Sequence, residues 1–394
     1  MKPTISVILT SYNSRERLRN ALESYRYQTY PKDLFEVVVV DDGSGDGTQA
    51  WFENNDWNFP VKYIYNRPNK GRAGARNTGI HAASGDVILF SDCDMIAESD
   101  FIERHASFHQ NSDHAVVCGS FWQSVYSHLY PTFDPQTFSL IKKLVQRDAK
   151  LKKRYASLKD KLDEQCYSHL LLKKEVKNIR KSPLIHHDTF ISNFFAHYAT
   201  GDFYFVWIFF VVMNVSVRKE HLLRIDGFDE RFIGYGCEDT DVGYRLWKEG
   251  LSFIVDPTLK NYHQEHHRNH NQEAERISNM QRMVKKHQAA EMALYECLPD
   301  IGDTHRKSAF MFDRDRLLTE RIVTAKFISQ LNGLIWRCSQ VNFPGIGEEA
   351  GQFDKLDEER FWAEVDQVRS KPEYASFVAF VEELYAKAVN RYEL

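Results

Sequence analysis

Apolar runs alternate with helical patterns over the first hundred positions of the chain. Continuous apolar runs occur at 5–10 (ISVILT), 35–40 (FEVVVV), 61–66 (VKYIYN) and 87–91 (VILFS). The segments between them repeat apolar residues every three to four positions, which is typical of amphipathic helices. Buried strands separated by helices predict an α/β domain with three layers and a mostly parallel sheet. Such sheets bind ligands beyond the carboxyl ends of their strands.

A basic segment interrupts this pattern. Residues 142–181 carry 14 Lys and Arg against 5 Asp and Glu, a balance of 14 − 5 = +9. Apolar positions recur in it at helical spacing, namely Leu144, Leu151, Tyr155, Leu158 and Leu162. The pattern predicts a basic helical insertion at about 137–190 with one packed face. Its charged face is either simply solvated or contacts an anionic acceptor or membrane surface.

The last third of the chain loses its strand signals. Helical patterns dominate after residue 270, so the sequence predicts a catalytic domain at 1–270 and a helical C-terminal domain at 271–394. We expect the C-terminal domain to contact an acceptor or a second copy of the chain. The apolar run 203–217 (FYFVWIFFVVMNVSV) falls short of the ~20 residues needed to span a bilayer, so it predicts a buried strand pair. Peripheral membrane contact is the alternative.

Composition narrows the class of protein. The 394 residues are 43% hydrophobic and 27% charged, as in globular proteins, and the net charge of −4 points away from an obligatory nucleic-acid partner. The six cysteines form no CxxC pair, which suits reduced thiols, and the N-terminal apolar stretch is too short for a signal peptide. A cytoplasmic protein is therefore expected.

Carboxylates follow two of the apolar runs. In VILFSDCD, a continued strand would project Asp92 and Asp94 to one side and Cys93 to the other. Paired carboxylates are suitable ligands for Mg²⁺ or Mn²⁺. In FEVVVVDDGSGDGT, Asp42 can accept hydrogen bonds from a base or ribose. Each motif by itself is also compatible with an ordinary polar turn.

A cationic and an acidic motif complete the pattern. NKGRAGARNTG places Lys70, Arg72 and Arg76 around a helix start, where guanidinium and backbone N–H groups favour a diphosphate. In GYGCEDTDVGYRLWKEG, two glycines precede a helix whose first turn holds Glu238 and Asp239, with Asp241 after them. These carboxylates either complement the helix dipole or include a general base. Because a helix N-terminus lowers a carboxylate's basicity, Asp239 as base requires burial or close substrate contact.

The ordered motifs SVILTSYN, VVVVDDGSGDGT, GRAGARNTG, SDCD, MNVSVRKEHLLRIDGFDERF and GYGCEDTDVGYRLWKEG resemble an inverting family 2 glycosyltransferase with the Rossmann-like GT-A fold, over about residues 4–270. This resemblance implies a role for each matching position. Nucleotide binding would fall to Thr10 and Tyr12 in the pocket, Asp42 on uracil, Arg76 near the diphosphate and Asp92 on ribose or metal. Asp94 would hold the metal, Asp239 would be the base, and Glu238 would bind the acceptor or donor sugar.

The histidine cluster YHQEHHRNH follows the last apolar run. It contains His263, His266, His267 and His270. The arrangement is similar to GT-A transferases for galactose and N-acetylgalactosamine, which implies that His263 completes the metal site, with His266 as the alternative. Imidazole together with carboxylate favours Mn²⁺ over Mg²⁺.

The expectation is thus a metal-dependent inverting transfer of a hexose or N-acetylhexosamine from a UDP-sugar to an acceptor hydroxyl. The acceptor would be a glycan, a lipid-linked saccharide or a protein or peptide. A sugar nucleotidyltransferase also presents paired carboxylates on an α/β sheet, but it has no use for GYGCEDTD. A catalytically inactive nucleotide-sugar-binding scaffold is the other alternative, although it would be expected to lose some of these acidic positions, and all of them are present.

Overall fold

The computed structural model describes residues 2, 4–162, 167–187, 203–267, 272–343, 346 and 353–389. Two compact units make up the chain. The α/β unit comprises residues 1–201 and 207–273, and the helical unit comprises residues 202–206 and 274–394. His270 and Cys166 lie outside the described residues.

Nine strands of the described residues form one mixed sheet in the α/β unit. The strands of this unit are β1 (Ile5–Ser11), β2 (Phe35–Asp41), β3 (Val61–Tyr65), β4 (Val87–Phe90), β5 (Met95–Ala97), β6 (Ala115–Val125), β7 (His128–Leu129), β8 (Ser168–His169), β9 (Ile185–His187), β10 (Val215–Arg218) and β11 (Ser252–Gln264). The sheet order is β3-β2-β1-β4-β10-β6-β11-β5, with β9 paired to β6, while β7 and β8 form a separate ribbon. The first four strands of this order run parallel, as the apolar runs predict.

Helices flank the sheet. In the α/β unit they are α1 (Arg15–Tyr25), α2 (Thr48–Glu53), α3 (Gly71–Ala82), α4 (Phe101–His109), α5 (Pro135–Val145), α6 (Ala149–Lys159), α7 (Lys173–Val176), α8 (Lys219–Arg224) and α9 (Glu238–Lys248), with 3₁₀ turns at Ile179–Lys181 and Val206–Phe209. The β-branched and aromatic residues of the strands are buried with Leu18, Leu22 and Phe101 of the helices in one core cluster. The α/β fold class predicted from the sequence is confirmed.

The predicted basic insertion is helical. Asp134 and Asp148 accept hydrogen bonds from backbone N–H groups of Thr137 and Leu151, both at 2.8 Å, and so cap α5 and α6. The apolar faces of the two helices join a second core cluster together with Ile96 and Tyr262 of β5 and β11. We call residues 135–162 the basic helix pair.

The predicted strand pair at 203–217 is wrong in part. Only Val215–Arg218 forms a strand, and Val206–Phe209 forms a 3₁₀ turn. The reason is packing. A Cβ atom on Gly243 of α9 would lie 2.3 Å from the carbonyl oxygen of Trp207, so the helix backbone packs directly against this turn.

The helical unit confirms the helical C-terminal region. Its helices are α10 (Gln272–His287), α11 (Ala290–Cys297), α12 (Thr304–Thr319), α13 (Ala325–Asn342), α14 (Glu358–Arg369) and α15 (Ala375–Val389), with a 3₁₀ turn at Pro372–Tyr374. Phe310 stacks on Phe377 and Phe380 with ring centroids 5.0 and 4.4 Å apart. Tyr204 belongs to this unit, because its backbone N–H donates to Ser308 Oγ at 2.8 Å and its hydroxyl donates to Asp315 at 2.7 Å.

None of the described helices combines the length and apolar character needed to cross a bilayer. The five described cysteines are free thiols in the interior, namely Cys93, Cys118, Cys237, Cys297 and Cys338.

Candidate active site

The carboxyl ends of β1, β2 and β4 meet at one edge of the sheet. Ser11 lies opposite Asp41, and Ile8 lies opposite Phe90, so the residues after each strand converge. Thr10 is half-buried at the end of β1, and Tyr12 beyond it is 56% exposed. An exposed aromatic ring and a half-buried hydroxyl at this edge are available to a ligand, and their role in nucleotide binding stays a prediction.

Asp42 is buried at the same edge and already has hydrogen-bond donors. Its Oδ1 accepts from Asn66 Nδ2 at 2.8 Å and from the backbone N–H of Lys70 at 3.0 Å, and its Oδ2 accepts from the N–H of Gly71 at 2.9 Å. Asp42 therefore anchors the loop that leads into α3. A uracil would have to share this carboxylate with the loop, so the predicted contact to the base remains untested.

The acidic pair Asp92 and Asp94 lies in a turn rather than on a strand. Strand β4 ends at Phe90, and the backbone N–H of Met95 donates to the carbonyl of Asp92 at 3.0 Å. The expectation that strand alternation orients the pair is therefore wrong. Cys93 between them is nevertheless buried in the core of the α/β unit, so the turn itself separates the thiol from the carboxylates.

Asp94 lies together with two histidines. The antiparallel register of β11 with β5 places His263 opposite Met95, and the N–H of Gln264 donates to the carbonyl of Asp94 at 2.8 Å. Asp94 Oδ2 is 3.7 Å from His263 Nε2 and 3.2 Å from His266 Nε2. One donor atom from each of these three side chains lies within 4.8 Å of the others. The structure thus brings together the predicted ligand, His263 and the alternative His266.

The hydrogen bonds on the far side of each imidazole fix which nitrogen has the lone pair. His263 Nδ1 is 3.2 Å from Glu265 Oε1, and His266 Nδ1 is 2.8 Å from the carbonyl oxygen of His267. Both oxygens only accept, so each Nδ1 carries a proton and, in the neutral rings, each Nε2 carries a lone pair. Carboxylate and carbonyl partners of this kind are typical of metal-binding histidines.

Three acceptor atoms therefore face one another in this cluster when both imidazoles are neutral. The lone pairs of the Nε2 atoms and the carboxylate Oδ2 repel one another unless a proton or a cation lies between them. The second oxygen of Asp94, Oδ1, is buried and has no hydrogen-bond partner in the described part of the chain. An orphaned carboxylate oxygen beside two imidazole lone pairs fits a divalent cation that accepts O and N ligands, such as Mn²⁺.

A second group of similar composition differs because its carboxylate is already paired with an arginine. Donor atoms of Glu16, His128 and His169 also lie within 4.8 Å of one another. Here Arg19 Nη2 donates to His169 Nδ1 at 2.8 Å, which puts the ring proton on Nε2, 3.2 Å from Glu16. Arg19 Nη1 lies 3.3 Å from the same carboxylate. Arginine already neutralises this cluster, which ties the β7–β8 ribbon to α1.

The pKa values of Asp92 and Asp94 are shifted in opposite directions. Burial and the negative charge of Asp94 raise the pKa of Asp92, although Arg76 opposes this. Burial would also raise the pKa of Asp94, but His263 and His266 in their protonated forms outweigh it and hold that pKa well below its usual range. Asp94 is thus the stronger cation ligand of the pair.

Arg76 lies between two carboxylates beneath the site. Its side chain is 3% exposed, its Nη1 donates to Glu238 Oε1 at 2.7 Å, and its Nη2 is 3.6 Å from Asp92. Burial alone would raise the pKa of Glu238. The ion pair with Arg76 outweighs this effect, so the pKa of Glu238 is lower than usual. Arg72, one turn earlier on α3, is exposed and lies 5.5 Å from the ring of Tyr235. Arg72 is therefore the more accessible cation for a ligand.

Helix α9 begins after an unusual backbone. Gly234, Gly236 and Cys237 have φ angles of 80°, 95° and 68°. The left-handed conformation suits the two glycines, which turn the chain sharply into the first helical residue, Glu238. The turn presents three carboxylates in succession at the helix N-terminus.

These three carboxylates have different partners. Arg76 pairs with Glu238, and Arg245 pairs with Asp241 at 2.8 Å. No described cation forms an ion pair with Asp239, whose Oδ1 accepts the N–H of Thr240 at 2.8 Å. Burial and the charge of Glu238 raise the pKa of Asp239 to about 7. Of the three, only Asp239 forms no ion pair with a described arginine. Its pKa near neutral pH also suits it to accept a proton.

Sequence reasoning overlooked Glu265 and assigned Arg76 directly to the ligand. Glu265 lies two positions after His263, and its Oε1 also accepts from Ser124 Oγ at 2.5 Å. Continuing the alternation of β11 by one residue past its end at Gln264 would have indicated it, since positions 263 and 265 then share one side of the chain.

The fold and the site together define a class of protein: an α/β domain with a nucleotide-type sheet edge, a carboxylate–histidine cluster and a separate carboxylate at a helix start. Residues 6–174 match the model "Glycosyl transferase family 2", and residues 204–268 match "N-terminal domain of galactosyltransferase". Residues 6–174 therefore form a glycosyltransferase family 2 domain, and the mostly parallel α/β sheet is of the GT-A type.

Several relatives share this similarity. "Uncharacterized glycosyltransferase YfnE" of Bacillus subtilis is 34% identical over 66% of this chain and 64% of its own length. Validoxylamine A glucosyltransferase of Streptomyces hygroscopicus subsp. jinggangensis is 27% identical over 72% and 61%. The chain thus spans less than two thirds of these relatives. The solved structure of S. aureus TarS 1–349 in complex with UDP-GlcNAc covers 98% of this chain and 92% of that chain, at TM-score 0.46 and 18% identity.

Proposed function

We propose that this chain is a metal-dependent inverting glycosyltransferase that moves a hexose or N-acetylhexosamine from a UDP-sugar to an acceptor hydroxyl. The observation that carries the proposal is the separation of two chemistries. Asp94, His263 and His266 form a cation-binding cluster, and Asp239 is a carboxylate without an arginine partner and with a pKa of about 7. One relative is named for glucosyl transfer, which keeps glucose among the candidate sugars.

Each residue then has one task. Thr10, Tyr12 and Asp42 bind the nucleoside, and Arg72 approaches the diphosphate from the first turn of α3. Asp94, His263 and His266 would hold a divalent cation, preferably Mn²⁺, which would supply charge neutralisation to the departing diphosphate. Asp92 contacts the ribose or the cation.

Asp239 removes the proton from the acceptor hydroxyl. The acceptor oxygen then forms a bond to the anomeric carbon, while the bond from that carbon to the diphosphate oxygen breaks and UDP leaves with the electron pair. Displacement in line inverts the anomeric configuration, so an α-linked donor yields a β-linked product. Glu238, held by Arg76, orients the acceptor or the donor sugar. The acceptor is a glycan, a lipid-linked saccharide or a peptide.

Calorimetry tests the donor and the cation. UDP should bind in the presence of Mn²⁺ and lose affinity in a chelator, and D94N should behave like the chelated protein. D33N, a change of the same kind at an exposed position, is the control. Replacing UDP with GDP tests whether the site selects uracil as the nucleobase of the donor. Equal UDP affinity with and without Mn²⁺ contradicts the metal assignment, and an α-linked product, identified by its anomeric proton coupling, contradicts inversion.

A further inference from the structure

The basic helix pair has a charge that the transfer reaction does not use. Residues 135–162 contain nine Lys and Arg against two Asp, which gives 9 − 2 = +7. The net charge of the whole chain is −4, so the rest of the chain carries −4 − 7 = −11. A pronounced positive region on an otherwise negative protein orients the molecule toward a negative partner and repels that partner elsewhere.

Most of these cations are exposed and have no ion-pair partner in the described part of the chain. Eight of the nine are exposed, namely Lys142, Lys143, Arg147, Lys150, Lys152, Lys153, Lys159 and Lys161. The ninth, Arg154, pairs with Glu175 at 2.7 Å. None of the eight forms a side-chain ion pair or hydrogen bond within the described residues, whereas Arg15 and Arg19 on α1 both pair with Glu16. Within the described residues, the positive charge of these eight side chains is therefore not neutralised and is available to a partner.

The apolar residues of the pair cannot serve that partner. Ile141, Leu144, Val145, Leu151 and Tyr155 are buried in the core cluster that also contains Tyr262. None of the large apolar side chains that are exposed in the described chain falls within 135–162. A partner would thus be held by charge alone, without insertion of apolar side chains.

The kind of cation identifies the kind of anion. Seven of the eight exposed cations are lysines. Lysine is a mobile point charge, whereas arginine recognises individual phosphates with a rigid two-pronged geometry. Seven mobile charges on two neighbouring helices suit a diffuse field of anions, as at a leaflet of anionic lipids, better than one fixed phosphate site.

We propose that the basic helix pair binds the anionic surface of a lipid bilayer by electrostatic attraction. The pair packs through Tyr262 against the strand that carries His263, so a bound membrane would lie next to the edge of the α/β unit that contains the candidate active site. The proposal does not require that the chain transfers a sugar.

Sedimentation with vesicles tests it on the full chain. We expect binding to vesicles of phosphatidylcholine and phosphatidylglycerol in equal parts, none to phosphatidylcholine alone, and release at roughly 1 M NaCl, where the Debye length is about 3 Å. Each lysine near an anionic surface contributes about fivefold, so K152E/K153E should lower the partition coefficient by about 10²-fold or more. K285E/K355E changes two exposed lysines of the helical unit by the same charge and should bind normally.

A second variant and a soluble anion complete the test. K142Q/K143Q on α5 should weaken binding by a smaller factor without introducing negative charge. Circular dichroism and the UDP affinity of each variant show whether it is folded, so a failure of the proposed transferase function is distinguishable from a failure here. Absence of binding to the anionic vesicles, or equal binding by K152E/K153E, overturns the proposal. Binding to heparin but not to vesicles also overturns it and assigns the surface to a polymeric anion.

Discussion

Replacement of Asp239 by asparagine separates a general base from a helix cap. Asparagine caps helices about as well as aspartate, and its side-chain oxygen can still accept the N–H of Thr240. The variant should therefore keep its fold and its UDP affinity. If Asp239 removes the acceptor proton, the rate should fall by roughly 10²–10⁴, the usual contribution of general-base catalysis.

The pKa of Asp239 also predicts how strongly the rate depends on pH. A base works only in its ionised form, so activity is lost as the pH falls through its pKa, which burial and Glu238 raise to about 7. About nine-tenths of the enzyme is then ionised at pH 8 and about one-tenth at pH 6, which predicts a roughly tenfold lower rate at pH 6. The residual rate of D239N should be nearly independent of pH over this interval.

The assay measures UDP release from the UDP-sugar that binds most tightly in calorimetry, with water as the acceptor, at saturating donor and Mn²⁺. D241N on the same helical turn is the matched control. It breaks the ion pair with Arg245, so it should lower the melting temperature while the rate per folded molecule stays near that of the wild type. Near-normal turnover by D239N, or an acid limb unchanged in that variant, would refute the assignment of the base.

Three further substitutions test other parts of the α/β unit. E265A removes the carboxylate that orients His263, so Mn²⁺ affinity measured by calorimetry should fall by about 10- to 100-fold, while saturating Mn²⁺ restores UDP binding. R76M leaves the buried carboxylate of Glu238 without its cation and should lower the free energy of unfolding by about 3–5 kcal/mol in urea titration, and R76K should recover part of the loss. G243A would place a Cβ atom 2.3 Å from the Trp207 carbonyl and should cost about 1–3 kcal/mol, whereas G45A, with open space around it, should not. An unchanged melting temperature in G243A would contradict the close packing of α9.

The sequence was sufficient for most of the fold because continuous apolar runs and helical periodicity are local properties. The four N-terminal strands and the helices between them lie where these patterns predict. The run 203–217 misled because its aromatic residues are buried by a tertiary contact with the glycine-containing face of α9, and hydrophobicity alone does not distinguish that environment from a strand. The turn at Asp92 similarly depends on a backbone hydrogen bond that composition does not reveal.

The site was predictable as a set of residues but not as an arrangement. Family resemblance supplied Asp94 and His263, with His266 as the alternative. That His263 lies beside Asp94 follows from the register of β11 with β5, a pairing between segments far apart in the chain, and the short distance from His266 to Asp94 is seen only in the coordinates. Which imidazole nitrogen has the lone pair depends on Glu265 and on a backbone carbonyl, so it requires coordinates. The roles of these residues in binding and catalysis stay predictions.

The ion pair between Arg76 and Glu238 helps to explain why the pKa values of Glu238 and Asp239 are shifted in opposite directions. A helix N-terminus lowers the pKa of both Glu238 and Asp239, so position alone would make each a poor base. The guanidinium of Arg76 bonds to Glu238 at 2.7 Å and keeps it ionised, and that fixed negative charge then raises the pKa of its neighbour. Burial of Asp239 acts in the same direction and exceeds the helix effect. Arg76 also lowers the pKa of Asp239 directly, but burial and the charge of Glu238 outweigh that effect. Loss of the Glu238 charge in E238Q should therefore lower the pKa of Asp239 and move the acid limb of the rate to lower pH.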